Sequence, residues 1–120
     1  MASDNIANNL IIHMCTRPAC KQAQQAGIYR PSSLASEGFI HCSRPEQIVA
    51  VANLFYRGAT DLVLLWIDPQ KVEQEIRWET VGEQVFPHIY GPLNLQAVCA
   101  VEDYPADKDG LFRQEPANSC

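Results

Sequence analysis

The chain lacks a long hydrophobic run. Its longest uninterrupted apolar stretch is Leu62 to Ile67, far short of the roughly 20 residues of a membrane-spanning helix, so no membrane partner is expected. It also lacks positive charge. Nine Lys and Arg against 14 Asp and Glu leave a net charge of -5 and a pI near 5.0. General nucleic-acid binding needs a net basic face that displaces counterions, and this balance argues against it. No CxxC or HxxxH spacing of the kind that holds a metal occurs, nor does a P-loop, a GxGxxG or a GxSxG. Met1-Ala2-Ser3-Asp4-Asn5 lacks the basic and apolar regions of a secretory leader, so a cytoplasmic location is expected. Five cysteines (Cys15, Cys20, Cys42, Cys99 and Cys120) are odd in number and scattered. They read as small buried hydrophobes in a reducing compartment, with no disulfide and no metal site.

With 120 residues, 47% of them hydrophobic, the chain is long enough for one domain with a real core. Residues 1–9 are polar and read as a flexible tail, 10–104 as a single globular α+β domain, and 105–120 as a weakly ordered tail poor in large apolar side chains. Leu10-Ile11-Ile12-His13-Met14-Cys15 reads as a first strand. Leu62-Val63-Leu64-Leu65-Trp66-Ile67, without alternation, reads as a central strand covered on both faces. Between them stand two helices, one capped by Thr16 and stopped by Gly27, the other running from about Glu46 to Tyr56. Ile76 to Glu79 begins another strand, and Leu95 to Tyr104 reads as the last. Val85 to Pro92 is extended but twice interrupted by proline, which places it at an edge or in a cleft wall.

Two strand-to-helix junctions end alike. His13-Met14-Cys15-Thr16-Arg17-Pro18 is matched, one residue shorter, by His41-Cys42-Ser43-Arg44-Pro45. Ser43 with Glu46 three residues on forms a capping-box pattern, and Pro45 fits the first turn. Capping alone accounts for Thr16, Ser43 and the prolines. It leaves the arginines unexplained, because a cation in the first helical turn opposes the helix dipole unless an anion joins it. Arg17 and Arg44 are therefore candidate anion ligands beside Thr16 and Ser43.

The three histidines, His13, His41 and His88, all fall in extended, partly buried segments, which points to one shared pocket. Period-two alternation sends Phe39, His41 and Ser43 to one face and Ile40 and Cys42 to the other. It likewise aligns Phe86, His88 and Tyr90 as a cleft wall. A zinc site built on His13, Cys15 and His41 lacks ligand spacing. A Cys42 nucleophile would diverge from the adjacent His41.

The strings Gly38-Phe39-Ile40-His41-Cys42-Ser43, Asp61-Leu62-Val63-Leu64-Leu65 and Phe86-Pro87-His88-Ile89-Tyr90-Gly91-Pro92-Leu93-Asn94 resemble the bacterial family catalogued as domain of unknown function 952, over about Ile11 to Tyr104. That family is similar to the ADP-ribosyltransferase-like superfamily. The resemblance implies a bent, mixed or antiparallel sheet of five to seven strands with two main helices, holding NAD in a central cleft. It also implies that His13 takes the first-strand position contacting ribose, that His41 and Ser43 line the pocket, and that Glu79 takes the late glutamate position that stabilises an oxocarbenium-like centre. His41 and Glu79 are then the catalytic candidates. The ligand-binding candidates are His13, Thr16, Arg17, His41, Ser43, Arg44, His88 and Tyr90. The expected ligand is NAD or another phosphate-bearing small molecule, and the activity, if the protein is an enzyme, NAD-using transfer or a related ribosyl-transfer reaction. The alternatives are a non-catalytic binding module and a structural domain with satisfied core histidines.

Overall fold

The structure, a computed structural model, describes residues 9–117 and Cys120; the expected N-terminal tail lies, but for Asn9, outside the described residues. In chain order the elements are β1 (Ile11–Thr16), α1 (Arg17–Ala26), β2 (Ile28–Tyr29), α2 (Ser33–Ser36), β3 (Ile40–His41), α3 (Ile48–Phe55), β4 (Leu62–Ile67), β5 (Glu75–Val81), β6 (Gln84–Tyr90), β7 (Leu93–Asn94) and β8 (Val98–Asp103). Every described strand pairing is antiparallel. Among the described residues the strands number eight rather than five to seven, because β2, β3 and β7 are two-residue pieces, and they fall into three small sheets of order β1-β4-β8, β2-β7 and β3-β6-β5.

The β1-β4-β8 sheet is the centre of the molecule, and alternation along it sorts the core in two. Ile11, Cys15, Val63, Leu65 and Ile67 face Tyr29, Ile40, Ile89 and Leu93. Leu10, Ile12, Met14, Leu62, Leu64 and Trp66 face Ile48, Ala52, Tyr104 and Phe112. Because both faces are covered, β4 is buried along its whole length and shows no polar alternation. Each such side chain removed from water contributes about 1.5–3 kcal/mol.

α1 forms as its caps dictate. The Thr16 hydroxyl accepts the Ala19 N–H at 3.3 Å, and Gly27 closes the helix in the left-handed region at φ 78°, donating its N–H to the Ala23 carbonyl. The second helix starts differently from its sequence pattern. The Ser43 N–H and C=O are both engaged by Ile12 at 2.8 Å, so the chain stays extended through Arg44. A 3₁₀ turn, Pro45–Gln47, leads into α3, and the Arg44 N–H is accepted by the Gln47 side chain at 2.8 Å. Gln47 replaces the Ser43 and Glu46 pair as the cap.

Three further departures have local causes. β6 is the middle strand of its sheet despite Pro87; β3 flanks it only at His88 and Ile89, and Pro87 uses its carbonyl to accept the Cys42 N–H at 3.1 Å. The stretch expected as a weakly ordered tail packs. Phe112 is 3% exposed and stacks on Tyr104 with centroids 5.2 Å apart. Asn53 clasps the Phe112 backbone on both sides, donating to its carbonyl at 2.7 Å and accepting its N–H at 2.8 Å. Finally, Cys99 and Cys120 are joined as a disulfide, with Cα atoms 5.3 Å apart, against the expectation of five free thiols; the returning C-terminal stretch brings them together. Cys15, Cys20 and Cys42 remain free and buried.

The packed tail makes a direct prediction. Phe112→Ala should cost about 3–5 kcal/mol, the usual loss for a buried aromatic, measured by urea unfolding. A loss below about 1 kcal/mol would show that the core does not depend on this clasp.

Candidate functional site

The β3-β6-β5 sheet lays out the site by register. His41 lies opposite His88, and His88 opposite Arg77, so these three form one row across the sheet. Side chains directly opposed on an antiparallel ladder share a face. Glu79 opposite Phe86 and Glu75 opposite Tyr90 form the rows on either side.

Each histidine of the row is held by a glutamate. His88 is 4% exposed, and its Nδ1–H donates to Glu79 Oε1 at 2.8 Å. The Tyr90 hydroxyl donates to the same oxygen at 2.6 Å. These two hydrogen bonds, Tyr90's first, hold the Glu79 carboxyl below its usual range, and the carboxylate pushes the Tyr90 phenol up. His41 is exposed, and its Nε2–H donates to Glu37 Oε2 at 2.5 Å. The two imidazoles meet edge to face, centroids 5.4 Å apart at 72°. Phe39 stacks on His88 at 4.2 Å and also borders His41 and Tyr90. Arg77 lies over the Tyr90 ring at 4.2 Å and donates to Glu75 at 3.0 Å.

His13 reaches the same place from the neighbouring sheet. Its Nδ1 lies 2.5 Å from the His41 carbonyl, which only accepts, so Nδ1 carries the proton. Nε2 therefore accepts the Tyr29 hydroxyl at 2.7 Å. Burial lowers the His13 pKa to about 4, and His41 nearby adds in the same direction.

His13, His41 and His88 line one open cleft of about 1480 Å³. It is larger than the roughly 300–1,000 Å³ usual for a ligand pocket. Thr16 and Ser43 line it too. Its far wall is apolar: Leu54 and Phe55 on α3 are 74% and 71% exposed there. Arg30 is a cation of the lining and has no ion-pair partner among the described residues. The other candidates are not in the lining. Arg17 is paired with Asp103. Arg44 is paired with Glu46 at 2.7 Å and lies 5.9 Å from the Trp78 ring centroid. Glu79 accepts from His88, and Tyr90 donates to Glu79. At the junction where an anion was expected, the Ser43 N–H donates to the Ile12 carbonyl and the Arg44 N–H to the Gln47 side chain. Sequence reasoning missed Glu37, Tyr29 and Arg30. Only Glu37 carried a local signal, four residues before His41. Among the described residues no group of three or more His, Cys, Asp or Glu side chains is arranged to hold a metal ion, and no helix is long and apolar enough to cross a membrane.

Fold and site together define a small α+β domain, antiparallel throughout, with a histidine-lined cleft between its sheets. The chain belongs to the family described as "Protein of unknown function (DUF952)", whose model matches residues 14–101. The crystal structure of protein CC0527 from Caulobacter crescentus is similar, at 31% identity, with a TM-score of 0.80 over 88% of this chain and 94% of that one. Its solution NMR structure is 30% identical, with a TM-score of 0.75 over 87% of this chain and 91% of that one. Among curated proteins none matches.

The buried His13 sets a pH response. Unfolded, its imidazole titrates near 6.5; folded, near 4. The unfolded state therefore binds the extra proton first, and stability present above about pH 6.5 is lost as pH falls toward 4, by about 3 kcal/mol. His13→Gln should flatten this part of the profile, as read from urea midpoints between pH 7 and pH 4.5. Identical slopes in the two proteins would rule the assignment out.

Proposed function

We propose that the cleft is an active site in which His41 and His88 serve as an acid–base pair on a small molecule carrying ribose and phosphate. NAD is the first candidate, as the family resemblance implies. The observation that carries this reading is the cross-strand histidine pair, each ring tied to a glutamate by one nitrogen. That tie sets the tautomer. With Nδ1–H given to Glu79, the lone pair of His88 is on Nε2, which has no hydrogen-bond partner among the described residues and is not fully buried. With Nε2–H given to Glu37, the lone pair of His41 is on Nδ1. One ring takes a proton from the attacking group, and the other, once protonated, returns one to the leaving group. Glu79, outside the cleft lining, supports this as the residue that orients His88 and stabilises its imidazolium.

Recognition follows from the rest of the lining. Phe39 and the apolar wall suit a flat ring, the hydroxyls of Thr16 and Ser43 suit a ribose, and Arg30 is the cation open to a phosphate. Arg17 and Arg44, already engaged by carboxylates, are secondary.

Calorimetry with NAD, ADP-ribose and inorganic phosphate, followed by product analysis, tests the reading. NAD or ADP-ribose should bind at or below millimolar concentration, and Arg30→Ala should weaken binding about 10-fold or more. His88→Ala should lower turnover 10²–10⁴-fold while binding is largely kept. Binding without turnover would favour the non-catalytic module; no binding of any of the three would reject the nucleotide reading.

A further inference from the structure

We infer that His13 and Tyr29 form a buried strut that sets the His41 ring against His88, so that His13 is a positioning residue of the cleft rather than one of its ligands. The inference rests on the acid–base reading of His41 and His88 and deepens it.

His41 stands in a strand of only two residues, paired with β6 on one side. Two residues of ladder restrain a peptide poorly, since short strands have few hydrogen bonds to share the load. Its other side is held from β1. Ile12 exchanges two backbone hydrogen bonds with Ser43, and the His13 ring donates Nδ1–H to the His41 carbonyl. The His41 peptide and side chain share one Cα, so rotation of that peptide swings the imidazole relative to His88. A 1 Å error at a reacting group can cost about 10²-fold in rate.

The strut is itself held. Tyr29, 5% exposed, is fixed by pairing with Leu93. Its hydroxyl donates to Nε2 of His13, which leaves Nδ1–H directed at His41. Cys15 is hydrogen-bonded to the same hydroxyl, and its thiol is pushed up to about 12 chiefly by burial. The chain of contacts runs Cys15, Tyr29, His13, His41 carbonyl. Both ring nitrogens of His13 are thereby occupied by the protein, which leaves none for a ribose or phosphate even though the ring borders the cleft.

The test is made on the full chain without ligand, by NMR of the histidine rings. In the unmutated protein, nuclear Overhauser contacts should join the His41 and His88 rings, and ¹⁵N shifts should report His13 as the Nδ1–H tautomer. His13→Phe removes the donor while filling the space. The His41–His88 contacts should weaken and the His41 ring shifts should move, with β4 and β8 amide shifts unchanged. His13→Asn, whose amide stands where Nδ1 was, should restore the wild-type pattern. Tyr29→Phe leaves Nε2 without its donor while the His41 carbonyl still holds Nδ1–H; the His13 ring should loosen and the His41 ring shifts should move, which covers the case in which His13→Phe does not fold. If the His41 and His88 resonances in His13→Phe, or in Tyr29→Phe where His13→Phe does not fold, match the unmutated protein, the strut is refuted. Should a substrate be turned over, His13→Phe should lower kcat about 10²-fold with KM little changed, and His13→Asn should recover most of it. Ring geometry that responds as described in a protein that turns over nothing would uphold the strut and remove the acid–base reading alone.

Discussion

The site depends on one seam, the antiparallel contact between Ile12 and Ser43. Two backbone hydrogen bonds of 2.8 Å, with the His13 to His41 bond beside them, join the central β1-β4-β8 sheet to the β3-β6-β5 sheet. The seam also decides how the second helix begins, because a residue whose N–H and C=O are both spent on a neighbouring strand presents no helix-cap geometry. Helix start, cleft opening and histidine geometry are consequences of one pairing.

Gln47 extends the seam's influence to the cleft's far edge. Its carbonyl oxygen accepts the Arg44 N–H, and its amide nitrogen donates to Gln84 at 3.0 Å and to the Val85 carbonyl at 3.1 Å. One side chain thus ties the start of the second helix to the β5-β6 hairpin, whose tip lines the cleft. The central sheet, packed on both faces, supplies the base for this arrangement and contributes the buried His13. His41 and His88 stand on the small peripheral sheet, where Glu37 and Glu79, both in contact with solvent, fix their rings.

Comparing residues with coordinates shows where sequence reasoning works. Thr16 and Gly27 bound the first helix as their chemistry requires, because a cap is decided within four residues. The unalternating run from Leu62 to Ile67 marked the central strand, since coverage on both faces leaves no position for a polar side chain. Phe112 and the Cys99–Cys120 disulfide were not legible, because each needs a partner fixed by how the chain returns across the sheet. Arg17 and Arg44 already meet carboxylates of the same chain: Asp103, from a distant strand, was beyond local reading, whereas Glu46 stands only two residues from Arg44.

The sequence by itself determined the α+β class, the two main helices, the central strand, the motifs that mark the family and the gathering of three histidines into extended segments. These follow from side-chain period, cap chemistry and composition, all local. Only the tertiary structure decided which partners each histidine meets. His13 and His41 are 28 residues apart, and His41 meets His88 through strand register. Which ring nitrogen is taken by protein and which is left to the cleft depends on partners that no local pattern specifies. The same residue type therefore has both ring nitrogens taken by the protein at position 13 and Nε2 left open at position 88, because hydrogen-bond partners, and not residue identity, assign the proton.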